Sequence, residues 1–157
     1  MLICYILILY IIKTAMTDIS LYSHITTTTS CSLPLAGTGI RAGFPSPADD
    51  YLDSSIDLNG YLMSDPDACF VVRVQGDSMN GAGIMEGDLL IVDKGRPALH
   101  GDIVVAVVDG DFTVKRLYRR HGRLALQPDN PAYPVLVPQD EQELQIWGVV
   151  CGCVRRY

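Results

Sequence analysis

From residue 69 to the C-terminus the chain is a succession of short runs rich in Val, Ile and Leu, each stopped by turn-forming residues. The runs fall at 69–75, 88–93, 102–108, 112–118, 123–127, 135–137 and 144–154. Between them stand Glu86-Gly87-Asp88, Lys94-Gly95-Arg96-Pro97, Asp109-Gly110-Asp111 and His121-Gly122, the composition of tight turns. Asp-Gly between two apolar runs is a strong short-range hairpin signal, because both central residues of the favoured turn need positive φ. Hairpin follows hairpin with no long helical stretch between them. The pattern therefore predicts a mainly β domain built as a partly rolled antiparallel sheet. One short helix or turn is expected at 55–63, although Gly60 weakens a helix there.

The N-terminal third reads differently. Residues 1–12 are uncharged and apolar, a run shorter than the roughly 20 residues of a membrane span. The segment also lacks the basic start and small-residue cleavage site of a secretory signal. Residues 1–15 are accordingly expected to precede the true start, at Met16, and the protein to be cytoplasmic. Residues 16–42 are rich in Ser, Thr and Gly, include the Thr26–Thr29 run and show no sustained periodicity, the features of a flexible arm. No pair of amphipathic helices is visible there, so sequence-specific DNA binding has no vehicle. The remaining residues, 43–157, form one domain's worth of chain, enough to bury a core without covalent staples.

Charge and cysteine usage narrow the function. A formal net charge of −6 disfavours nonspecific binding to nucleic acid, which depends on clustered Lys and Arg. The one basic group is Arg116, Arg119, Arg120 and Arg123 around His121-Gly122; it reads as a solvated hairpin tip or as a contact to a polymerase or nucleic acid. The cysteines at 4, 31, 69, 151 and 153 are odd in number and lack zinc-ligand spacing, so buried free thiols are expected and no metal or cofactor is implied.

Chemistry is concentrated at two positions. Ser78 closes a predicted strand just after Gly76-Asp77, where a glycine permits a sharp turn and neighbouring amides, those of Ser78 and Met79, can face a developing oxyanion. Lys115 lies on the strand 112–118, where alternation places Thr113, Lys115 and Leu117 on one face. A free lysine has a pKa of about 10.4 and is no base at neutral pH. Burial among apolar strands disfavours its charge and brings it into range of the Ser78 proton. Taken singly, Ser78 also fits a plain turn serine, and Lys115 a strand lysine reaching to solvent.

These residues belong to a longer pattern. The blocks Gly76-Asp77-Ser78-Met79, Gly83-Ile84, Gly87-Asp88-Leu89-Leu90-Ile91-Val92-Asp93, His100-Gly101-Asp102-Ile103-Val104 and Asp109-Gly110-Asp111-Phe112-Thr113-Val114-Lys115 occur in that order. Together with Gly43-Phe44-Pro45-Ser46-Pro47-Ala48-Asp49-Asp50-Tyr51 and Ile56-Asp57-Leu58, they closely resemble the UmuD branch of the LexA-like self-cleaving peptidases. The likeness covers residues 42–157. It implies a sheet of LexA/signal-peptidase-like type and a catalytic dyad of Ser78 as nucleophile and Lys115 as general base. It also implies a scissile bond between Ala42 and Gly43. UmuD-type proteins often carry Cys-Gly at that bond and LexA-type repressors Ala-Gly; either puts a small side chain before the cut. The partners implied are a RecA filament on single-stranded DNA, which stimulates the cut, and a Y-family (UmuC-like) translesion polymerase, which the trimmed homodimer joins during the SOS response. Two alternatives share the same residues. A membrane signal peptidase also uses Ser-Met and a later Lys-Arg, although here Asn80-Gly81-Ala82 replaces the Pro-Thr usual after that Ser-Met pair. A catalytically silent module docking on a polymerase is the other.

Overall fold

The computed structural model describes residues 32–36, 52–139 and 143–157. The apolar segment 1–15, most of the expected arm and the Ala42–Gly43 bond lie outside them. Two antiparallel sheets are formed. The smaller pairs β1 (Ser32–Ala36) with β2 (Leu52–Asp57). The larger has six strands: β3 (Cys69–Arg73), β4 (Leu89–Asp93), β5 (Ile103–Val108), β6 (Asp111–Arg120), β7 (Arg123–Gln127) and β8 (Leu144–Val154), in the order β3-β4-β8-β5-β6-β7. The fold class is the mainly β, antiparallel one expected from the sequence. No helix among the described residues is long and apolar enough to cross a membrane.

Two hairpins arise where the turn chemistry predicts them. Asp109 and Gly110 take φ of 51° and 90° between β5 and β6, and His121 and Gly122 take 51° and 71° between β6 and β7. Positive φ at both central residues matches the right-handed twist of the flanking strands. Three expectations change. The segment 55–63 is not all helix or turn: residues up to Asp57 finish β2, and α1 (Leu58–Leu62) begins only after Asp57, whose side chain accepts from the Asn59 amide. Residues 135–137 form no strand but one isolated bridge, Leu126 to Leu136. Ser32–Ala36, inside the expected flexible arm, is a strand, because its partner β2 supplies the ladder that its own composition does not advertise.

The roll of the sheet comes from β8. Its N-terminal half pairs with β5 and its C-terminal half with β4, and the two registers share only Val149. Both pairings carry a bulge, at Ile91/Val92 and at Val105/Ala106, and bulges bend a strand and increase its twist. The faces split into two cores accordingly. Phe70, Val72, Val74, Leu90, Val92 and Val105 pack together in one, and Val104, Ala106, Leu117, Leu126 and Val149 in the other. Gly148 sits where β8 changes partners; a Cβ there would stand 2.6 Å from Val92 Cγ1 and 2.9 Å from the Asp93 carbonyl oxygen. Gly148→Ala must push β4 away from β8, and is expected to cost about 3 kcal/mol of stability, the scale of overpacking a filled core. Urea melts of the two proteins check this; equal midpoints would show that the crossing is looser than described.

The cysteines need a partial correction. Cys69, Cys151 and Cys153 are free thiols, but only Cys69 is buried. The bulge in the β4–β8 ladder and the position of β8's last residues leave Cys151 and Cys153 exposed. Cys4 and Cys31 lie outside the described residues.

Candidate active site

The connection between β3 and β4 leaves the sheet and returns to it through a closed neck. The Val74 amide donates to the Asp88 carbonyl at 2.8 Å, and the Gly87 amide to the Val74 carbonyl at 2.9 Å. Met79 and Ile84, both buried, pin the loop into the first core, and a 3-10 turn spans Asn80–Ala82. Gly76, with φ of 76°, turns the chain just before Ser78. Ser78 is thereby held half-buried in the wall of a groove of about 260 Å³ whose apolar lining comes from Val72, Val74, Met79, Val105, Phe112 and Val114.

Lys115 enters from β6, directly across the ladder from Val104, and is buried with 7% of its surface exposed. Its Nζ donates to Ser78 Oγ at 2.8 Å, Thr113 Oγ1 at 2.9 Å and the Val114 carbonyl at 2.9 Å. Burial pushes its pKa below the ordinary 10.5, and no charged group among the described residues contributes to that shift. The arrangement suits a neutral amine equally well. An –NH2 group keeps two donors, enough for Thr113 and Val114, and turns its lone pair toward the Ser78 hydroxyl, which then donates. The same three partners thus serve both protonation states, with only the Ser78 bond reversing direction. The amides of Ser78 and Met79 make no hydrogen bond to any described residue.

Ser78 and Lys115, 37 positions apart, are therefore brought together, while Ala42 and Gly43 fall outside the described residues. Thr113 was visible as a same-face neighbour of Lys115, but strand alternation alone says nothing of a hydrogen bond. A second group has no sequence signal beyond loop composition: Asp129, Asn130 and Tyr133 all bond to the Ser78 loop. The basic cluster divides. Arg116 turns inward, its Nε 3.0 Å from Asp129 Oδ1 and its Nη2 on Oδ2, whereas Arg119, Arg120 and Arg123 remain at the exposed hairpin tip.

Comparison with known proteins agrees with this geometry. Residues 34–151 match the Peptidase S24-like family. Protein SamA of Salmonella typhimurium is 50% identical over 123 residues, covering 78% of this chain and 85% of SamA. Protein MucA of Escherichia coli is 43% identical over 120 residues, covering 76% and 82%. The LexA repressor of Syntrophotalea carbinolica is 44% identical over 125 residues, covering 80% of this chain and 60% of the repressor.

Proposed function

The chain belongs to the Peptidase S24-like family, in its UmuD-like, self-cleaving SOS branch, and we propose that it cuts its own Ala42–Gly43 bond with Ser78 as nucleophile and Lys115 as general base. The observation that carries this reading is the 2.8 Å contact between a buried, pKa-lowered lysine and a serine hydroxyl in a groove of mixed apolar and polar lining. Neutral Lys115 takes the proton as Ser78 Oγ attacks the Ala42 carbonyl carbon. The amides of Ser78 and Met79 receive the negative oxygen of the tetrahedral adduct. Its collapse breaks the C–N bond, and Lys115 returns the proton to the leaving amine of Gly43. Water, deprotonated by the same lysine, then releases Ala42 as a free carboxylate and restores Ser78.

A groove lined by Val72, Val105 and Phe112 favours a small apolar side chain such as that of Ala42. The substrate is part of the same chain, in the connection 37–51 between β1 and β2. Its effective concentration is therefore high, and a site with only two catalytic side chains suffices. A RecA filament on single-stranded DNA acts by favouring the conformation that presents the bond, a shift of population rather than a new catalytic group. The trimmed domain then serves, as a homodimer, with a Y-family translesion polymerase.

Intact-mass analysis of the purified chain, incubated from pH 7 to about 10, tests the proposal. Two fragments meeting at Ala42–Gly43 are expected, sooner at high pH and sooner still with RecA, ATP and single-stranded DNA. A chain that stays whole under all of these conditions would overturn the self-cleavage reading and favour the silent docking module.

A further inference from the structure

The nucleophile comes from the loop between β3 and β4 and the base from β6, and the direct bond between them is too weak a tie to set their separation. A second connection runs behind it. Asp77, the residue before Ser78, is held on both faces. Asn130 Nδ2 donates to the Asp77 carbonyl at 3.1 Å and to its Oδ2 at 3.3 Å, while the Tyr133 hydroxyl donates to Asp77 Oδ1. On the far side of Ser78, the Gly81 amide donates to the Asp129 carbonyl at 2.9 Å. The approach there is so close that a Cβ on residue 81 would lie 2.1 Å from that oxygen.

The 129–133 loop is tied in turn to the strand of the base. The Asp129 carboxylate takes the Arg116 guanidinium edge-on, and Arg116 is the neighbour of Lys115 on β6. Arg116 Nη1 also donates to the Gly101 carbonyl at 2.8 Å, so the guanidinium has little freedom. Asn130 is buried, and its amide is used at both ends, the oxygen accepting from the Ala132 amide at 3.0 Å. A buried amide with every contact assigned has one orientation.

We propose that Asp129, Asn130 and Tyr133 form a brace that positions Ser78 against Lys115, so that Arg116–Asp129 references the nucleophile loop to the strand of the base. These are positioning residues: none touches the reacting atoms. The inference rests on the self-cleavage reading above. Its physical consequence is specific. Without the brace Asp77 and Ser78 drift from Lys115, and water enters the gap. A misplacement of about 1 Å costs up to a hundredfold in rate. The lysine, partly rehydrated, also regains some of its ordinary affinity for a proton.

The test is the pH–rate profile of self-cleavage for Asn130→Ala and Tyr133→Phe, beside thermal melts of each. Tyr133 is exposed, so removing its hydroxyl leaves a protein that folds. The expected result is a plateau rate lower by about tenfold or more for Asn130→Ala and by a few-fold for Tyr133→Phe, with both midpoints moved to higher pH. Adding Tyr133→Phe to an Asp77→Ala background should change nothing further, since the partner is already gone. Loops that merely stabilise the fold would lower Tm yet leave midpoint and plateau in place well below the melt. That outcome, with the wild type cutting normally, overturns the brace alone. A wild type that never cuts overturns the proposed function and the positioning role together.

Discussion

Lys115→Ala is expected to slow self-cleavage by about a hundredfold to ten-thousandfold, the usual range for a general base, and Ser78→Ala to abolish it. The wild-type rate should climb with pH as Lys115 gives up its proton, with a midpoint below the ordinary 10.5 because burial lowers the pKa. That limb should vanish in Lys115→Ala. The same shift predicts an effect on stability. Between the folded pKa and 10.5 the unfolded chain binds the proton that the folded one has lost, so stability rises with pH across that window. Below it, folding must bury a charged lysine that no carboxylate offsets. Lys115→Met fills similar space without charge, and should raise Tm at neutral pH while slowing the cut as Lys115→Ala does. A variant both inactive and less stable would mean that Lys115 supports the fold rather than the chemistry. Self-cleavage time courses and melts on one preparation decide between the two.

The ease with which different features could be read from the sequence follows from how local their causes are. The hairpins at Asp109-Gly110 and His121-Gly122 depend on two residues each, and their position needed no knowledge of the rest. Strands β4 to β8 announce themselves by apolar runs, and all five lie within two residues of expectation. The neighbour switch of β8 was invisible, because a strand carries no mark of which partner takes which half, and its two glycines, Gly148 and Gly152, do not tell the crossing from an ordinary strand position. β1 failed for the same reason in reverse. Ser32–Ala36 is short and holds a proline, and its ladder to β2 lies outside local sequence.

At the site, Ser78 and Lys115 stood out because the chemistry restricts residue type: a hydroxyl, a lysine and apolar surroundings. Their mutual distance came from the fold. The supporting residues obey no such restriction. Asn130-Pro131-Ala132-Tyr133 reads as an ordinary turn, and nothing in it foretells that the Asn amide reaches Asp77, 53 positions earlier. Arg116 was grouped with Arg119, Arg120 and Arg123 by proximity in sequence. The Asp129 carboxylate removes it from the group, leaving a smaller basic tip at the end of the β6–β7 hairpin. The signal-peptidase alternative shares the dyad chemistry, but the match over 34–151 favours the self-cleaving family.

Asp88→Asn should be the most damaging polar substitution for stability, costing about 2–4 kcal/mol at pH 7, because it removes the charge from a buried, fully bonded carboxylate. Asp88 is only 2% exposed. It accepts from Arg155 Nε at 2.7 Å, from Arg155 Nη2 at 2.5 Å, from the Met85 amide at 2.8 Å and from Cys153 Sγ at 3.4 Å. The Arg155 bond, helped by the Met85 amide, holds its pKa far below the usual 3.8, against the opposing effect of burial. The unfolded chain therefore takes up this proton first as the solution is acidified. The stabilisation is complete above about pH 5 and drains away as the pH falls through 4 and toward the folded value. Urea melts of wild type and Asp88→Asn should accordingly differ most at pH 7, with a gap that narrows steadily as the pH falls below 4 and closes only toward the folded pKa. A gap that stays constant with pH would assign the loss to packing instead of charge. The contact also bears on the site, since Arg155 donates at 2.8 Å to the Gly83 carbonyl and so fastens the end of β8 to the loop that carries Ser78. Freed from that clasp, the loop loses an anchor that the brace at 129–133 does not replace. The same substitution should therefore slow self-cleavage at temperatures where the protein is still folded.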